Sequence, residues 1–216
     1  MYLPAHFREE RIEALHGFIR RHGFATLVTL RADGLAADHL PLLLDPAAGP
    51  WGTLRGHVAR ANPLWQAHRP DAEVLAIFHG PHAYVTPSWY ATKAETGKVV
   101  PTWNYAAVHA RGPLRAIDDA DWLRCLVTEL TEVHEAAFER PWHVSDAPAE
   151  FIDSMLKAIV GIEIPISRLE GKWKVSQNRP AADRSGVQAG LRSGGSAAGA
   201  ALADLVAAAE EAAAKA

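Results

Sequence analysis

The sequence is poor in the features that mark several protein classes. It has a single cysteine, Cys125, so an internal disulfide framework is excluded and a reducing compartment is expected. It has no basic surplus: the formal net charge is −3, whereas a protein that grips DNA by neutralising phosphates carries an excess of Lys and Arg. No apolar run approaches the roughly 20 residues of a membrane span. The first residues, MYLPAHFREER, are too polar for a signal-peptide core. The expected setting is therefore the cytoplasm. There is no G-x-G-x-x-G, no P-loop and no G-x-S-x-G, which argues against a Rossmann-held nucleotide and against a serine-hydrolase elbow. No residue is singled out as catalytic.

What is present is the composition of an ordinary globular domain, with 49% hydrophobic and 22% charged residues. Ile12, Leu15, Phe18 and Ile19 recur at helical spacing. FATLVTL (24–30) reads as a strand, RADG as a turn, and 36–45 as the returning strand, with Pro41 marking an edge or bulge. Residues 53–60 form a third strand and 73–86 a long fourth one, broken at Gly80-Pro81. A fifth starts at 97 and continues through GPLRAID. A helical pair follows over 119–160, its first member carrying Trp122, Leu123, Leu126, Val127, Leu130 and Val133 on one face, with Cys125 placed there as an inert thiol. Residues 162–175 return to strand. Short strands joined by hairpin turns favour an antiparallel barrel over a parallel sheet. The expected organisation is one domain over 1–192 and a Gly/Ser then Ala-rich tail over 193–216, flexible or weakly helical.

Three stretches carry candidate chemistry. In LRGHVARANPLW, His57 and Arg60 end a strand and Asn62 caps a short helix beginning at Pro63, an arrangement that suits an anion, most naturally a phosphate. YVTPSWYATK and PTWNYAAVH mix flat rings with hydroxyls and amides: Tyr84, Thr86, Ser88, Trp89 and Tyr90, then Thr102, Trp103, Asn104 and Tyr105. A planar heteroaromatic ligand needs apolar rings over its faces and polar partners at its edge. In KVSQNR, Lys174, Ser176, Gln177, Asn178 and Arg179 form a polar run at a strand end, inside a locally basic stretch from Arg168 to Arg192. His79 and His82 complete no metal-ligand set, so no metal is expected.

These blocks carry a resemblance. GHVARANPLW, AIFHGPHAYVTPSWY, VVPTWNYAAVHARG and KWKVSQNR, in this order, resemble the PaiB-like family of FMN-binding negative transcriptional regulators, from the first residues to about 191. The resemblance implies a mostly β, α+β fold: a six-stranded antiparallel split β-barrel of the pyridoxamine-phosphate-oxidase type, assembled as a homodimer with FMN at the subunit seam. By that analogy His57, Arg60 and Asn62 hold the phosphate; Ser88, Trp89, Thr102, Trp103 and Asn104 contact the ring or ribityl chain; Lys174, Gln177 and Asn178 arrive from the C-terminal region. The implied role is a repressor sensing flavin or redox state. No helix-turn-helix is visible, so DNA contact falls to a DNA-binding partner or to the basic stretch. A flavin-dependent oxidoreductase and a haem-binding split barrel are the alternatives.

Overall fold

Ten strands and seven helices form over residues 1–214, the residues described by the computed structural model. In chain order they are β1 (Arg8–Glu9), α1 (Ile12–Arg21), β2 (Phe24–Arg31), β3 (Gly34–Pro41), β4 (Leu43–Asp45), β5 (Thr53–Ala59), α2 (Leu64–Ala67), β6 (Val74–Val85), α3 (Thr92–Thr96), β7 (Thr102–Gly112), β8 (Arg115–Ile117), α4 (Ala120–Glu135), α5 (Ala149–Lys157), β9 (Ile159–Pro165), β10 (Arg168–Lys174), α6 (Ala181–Ser193) and α7 (Ala197–Ala214).

The mostly β, α+β class expected from the sequence is the one observed, with antiparallel pairing. The strand count differs for a local reason. Three runs expected as single strands each break near a proline: Pro41 between β3 and β4, Pro113 between β7 and β8, Pro165 between β9 and β10. Proline cannot donate to a ladder, and at each break the chain leaves one hydrogen-bonded sheet for the other.

The chain divides into two compact units. The first holds residues 1–15, 79–108 and 170–214. Its strands are hydrogen-bonded in the order β1-β10-β7-β6. Its core gathers Val85, Tyr90, Val175, Val187, Leu191, Leu202 and Val206. Leu202, Ala203 and Val206 are fully buried, so within the stretch expected as a flexible or weakly helical tail lies an eighteen-residue helix with a packed face. The packed face was not legible because the alanine content hid an i, i+1, i+4 apolar stripe. Residues 215 and 216 of that expected tail lie outside the described residues.

The second unit holds residues 16–78 and 109–169. It contains the ladder β6-β2-β3 and the sheet β4-β5-β9-β8. Helix α4, capped by Asp119 accepting from Trp122 N at 2.8 Å, lies on that second sheet. Trp122 packs so closely that a methyl group on Gly161 would stand 2.4 Å from its ring. The buried face of α4 is Leu123, Leu126 and Leu130; Val133 is exposed, and so is Cys125. A residue two positions beyond Leu123 is rotated about 200° from it on a 3.6-residue helix, which turns Cys125 to solvent.

Candidate functional site

In the first unit the alternation of two strands builds an aromatic surface. His82 and Tyr84, two residues apart on β6, share a face, because strand side chains alternate. Trp103 stacks on His82 with centroids 5.9 Å apart and an interplanar angle of 27°, and meets Tyr84 edge-on at 6.3 Å. Trp103 and Tyr84 are both 50% exposed. Large rings left half in water beside one another are unusual unless something covers them.

A pair of lysines borders these rings. The Lys172 ammonium lies between the rings of Tyr2 and Tyr105, at 5.5 and 5.3 Å, and donates to Tyr2 O at 2.9 Å. Lys174 donates to the Thr102 hydroxyl and, at 2.6 Å, to Trp103 O. An ammonium has three protons, and among the described residues Lys174 uses two of them, which leaves one for a ligand. Burial, then the nearby charge of Lys172, holds the Lys174 pKa below its ordinary value.

Behind this surface Asn104, 1% exposed, donates to Ser176 Oγ at 2.8 Å. Ser176 has φ of 65°, the only non-glycine residue with positive φ among those described. A serine held in the left-handed region marks a turn fastened by its surroundings. Asn104 is thus a buried fastener, which narrows the expectation that it contacts a ligand directly.

The other expected residues of this unit divide. Gln177 folds back: its Nε2 donates to Trp173 O at 2.5 Å and its Oε1 accepts from Val175 N at 2.9 Å. Asn178 is exposed. Ser88 is exposed and accepts from Lys93 Nζ at 3.1 Å. Trp89 is a packing residue, partly buried against the core of this unit.

His57, Arg60 and Asn62 lie in the second unit and are engaged there. Arg60 makes four hydrogen bonds: Nε to Lys157 O at 2.8 Å, Nη1 and Nη2 to the Asp118 carboxylate at 2.9 and 2.6 Å, and Nη2 to Ile159 O at 3.0 Å. Asp118 holds the guanidinium pKa up. Among the described residues one Nη1 proton has no acceptor and is available for an anion. Asn62 does not cap α2 as expected: the helix starts at Leu64 with Pro63 at the N-cap position, and Asn62 stands one residue earlier, its side chain accepting from Leu64 N at 2.8 Å in a local turn while its amide donates to Asp38 at 2.8 Å. His57 pairs across the sheet with Gly161, the residue beneath Trp122, so it faces the side covered by α4. Its Nδ1 is buried with no hydrogen-bond partner among the described residues, and burial holds its pKa down.

Several charges of the basic stretch offered as a DNA contact have partners within the first unit. Besides Lys172 and Lys174, Arg179 lies 4.5 Å over the Tyr90 ring, Arg184 pairs with Glu210 at 2.6 Å and Arg192 with Asp204 at 2.8 Å. Sequence reasoning counted these charges as free because their partners lie far along the chain. It also passed over His82 and Lys172 as site members. The signal for His82 was its two-residue spacing from Tyr84.

Half-exposed stacked rings, a partly buried lysine with a spare N–H and nearby hydroxyls fit a flat heteroaromatic ring system bearing hydrogen-bond acceptors. That donor set agrees with the comparisons. A family described as "Putative FMN-binding domain" matches residues 1–168. An uncharacterized protein of Emericella nidulans is 38% identical over 95% of this chain and 96% of its own length. The Bacillus subtilis protease synthase and sporulation protein PAI 2 is 33% identical over 87% of each chain. Among solved structures, a conserved hypothetical protein of Mycobacterium tuberculosis superposes with a TM-score of 0.56 at 14% identity, covering 83% of this chain and 94% of its own. At that identity the likeness speaks for the fold alone.

Proposed function

The chain belongs to the PaiB-like family of FMN-binding domains, and from that premise we propose that it is a flavin-binding protein whose cofactor is FMN. The observation that carries the reading is the stacked, half-exposed set of Trp103, His82 and Tyr84 bordered by Lys174. Thr102, Trp103, Lys174 and Ser88 would serve the ring and its side chain. Asn104 would act by fixing the turn at Ser176. In the second unit His57, Arg60 and Asn62 are kept as candidates for holding a phosphate, Arg60 through its spare proton. A bound flavin exchanges one or two electrons, and the protein supplies its orientation and electrostatics.

The rings of one copy lie open to solvent, which supports an assembly of two copies that covers them. Within the cytoplasm such a dimer would report flavin or redox state, and its regulatory output would run through a DNA-binding partner, because the basic residues from 172 to 192 already have partners within their own unit. Among the described residues no helix is long and apolar enough to cross a membrane.

The test is the visible spectrum of the untreated protein together with its mass in solution. Flavin bands that persist through gel filtration at the mass of a dimer are expected. A colourless protein that takes up no added FMN would remove the proposal.

A further inference from the structure

The loop 86–98, which carries Ser88 and Lys93, is packed only at its start, through Trp89 and Tyr90. Residues 93–98 are all exposed. Its attachments come from residues 179–190, beyond the stretch that the family match covers. Asp183, fully buried, accepts from Thr92 N at 3.0 Å and from the Thr92 hydroxyl at 2.8 Å. Arg179 lies over Tyr90. Trp89 is seated on two glycines of α6, one turn apart: a methyl group on Gly190 would stand 2.3 Å from the Trp89 ring, and one on Gly186 would stand 1.9 Å from Trp89 O. No side chain other than hydrogen fits there, since real Cβ contacts do not come under about 3 Å. Neither glycine has positive φ, so close approach, and not backbone conformation, accounts for both.

We infer that Gly186, Gly190 and Asp183 are positioning residues, which dock the loop 86–98 on α6 and so set Ser88 and Lys93 for the flavin. The inference rests on the flavin reading for its ligand, but the docking itself does not. One turn of α6 supplies a flat seat for an indole. Asp183, one turn earlier, fixes the loop backbone at Thr92. The segment after residue 168 is then part of the cofactor site and not an appendage to it.

The test uses the full chain with three variants, Gly190→Ala, Thr92→Val and the double variant Gly190→Ala with Trp89→Ala. Two quantities are read: the rate of tryptic cleavage after Lys93 and Lys98 in flavin-free protein, and FMN affinity by quenching of flavin fluorescence. Gly190→Ala and Thr92→Val are expected to speed cleavage several-fold and to weaken FMN roughly tenfold. In the double variant the clash with the indole is gone but the seat is empty, so cleavage stays fast and FMN stays weak; recovery of both quantities on adding Trp89→Ala would mean that only the clash mattered and would overturn the inference. Variants that are cut and bind FMN as the wild type does would overturn the inference. A wild type that binds no FMN, with a loop that becomes cleavable only in the variants, would sink the flavin reading and leave the docking standing.

Discussion

Asn104 Nδ2 and Ser176 Oγ meet at 2.8 Å in the buried interior of the first unit, and the serine at that contact has φ of 65°. The hydrogen bond fastens a turn that the backbone alone disfavours, since a left-handed residue other than glycine costs about 1–2 kcal/mol. Losing the bond leaves a buried amide short of a partner, at about 1–3 kcal/mol. Ser176→Ala is therefore expected to destabilise by that amount, and Ser176→Gly by about 1 kcal/mol less, because glycine relieves the backbone. Urea denaturation of the two variants measures the difference. Equal midpoints would show that the turn carries no strain.

Trp103 allows a clean test of ligand contact because its ring is half in water. Trp103→Ala is expected to weaken FMN by roughly tenfold or more, in the range of one lost stacking contact, while the thermal midpoint of the flavin-free protein moves little. A large loss of stability with unchanged affinity would make Trp103 a packing residue.

Lys174 predicts a pH dependence with a definite sign. Its folded pKa lies below the ordinary value, first through burial and then through Lys172. Below the folded value both states are protonated and the folded state bears the full cost of the buried ammonium. As pH rises from the folded value toward the ordinary lysine value of about 10.4, the folded state sheds its proton first and stability rises. Lys174→Met should abolish that rise, as read from urea midpoints over the same interval. FMN affinity should move the opposite way in the wild type and fall as Lys174 loses its charge.

Arg60 and Asp118 form a two-pronged ion pair that also holds the carbonyls of Lys157 and Ile159 through the arginine. Arg60→Ala and Asp118→Asn are both expected to lower the melting midpoint, because each opens the clasp. Only Arg60→Ala should weaken FMN, as the freed guanidinium of Asp118→Asn keeps its charge for the phosphate. Equal losses of affinity in the two variants would confine Arg60 to the clasp.

Much of the fold was legible in the residues. The Asp119 cap and the alternation of 102–112 are local, and local signals survive into the structure because neighbouring residues set them. The proline breaks were only partly legible: Pro41 signalled an interruption, but the departure of β4 for a different sheet depends on strands far along the chain. The packing of the helix at 197–214 was not legible because alanine, a weak marker of burial, hides which face is covered until α6 supplies the partner.

The sequence by itself determined the family, the antiparallel α+β class and the stretch of rings and amides around Thr102–Tyr105, because motif order and side-chain period are written along the chain. Tertiary structure alone decided which polar groups are still available. Arg60 is bound to Asp118, Gln177 to its own backbone and Arg184 to Glu210, while Trp103 and one proton of Lys174 stay open. The reason is that a buried donor must find an acceptor wherever the fold brings one within about 3 Å, and the distance along the chain says nothing about where that will be.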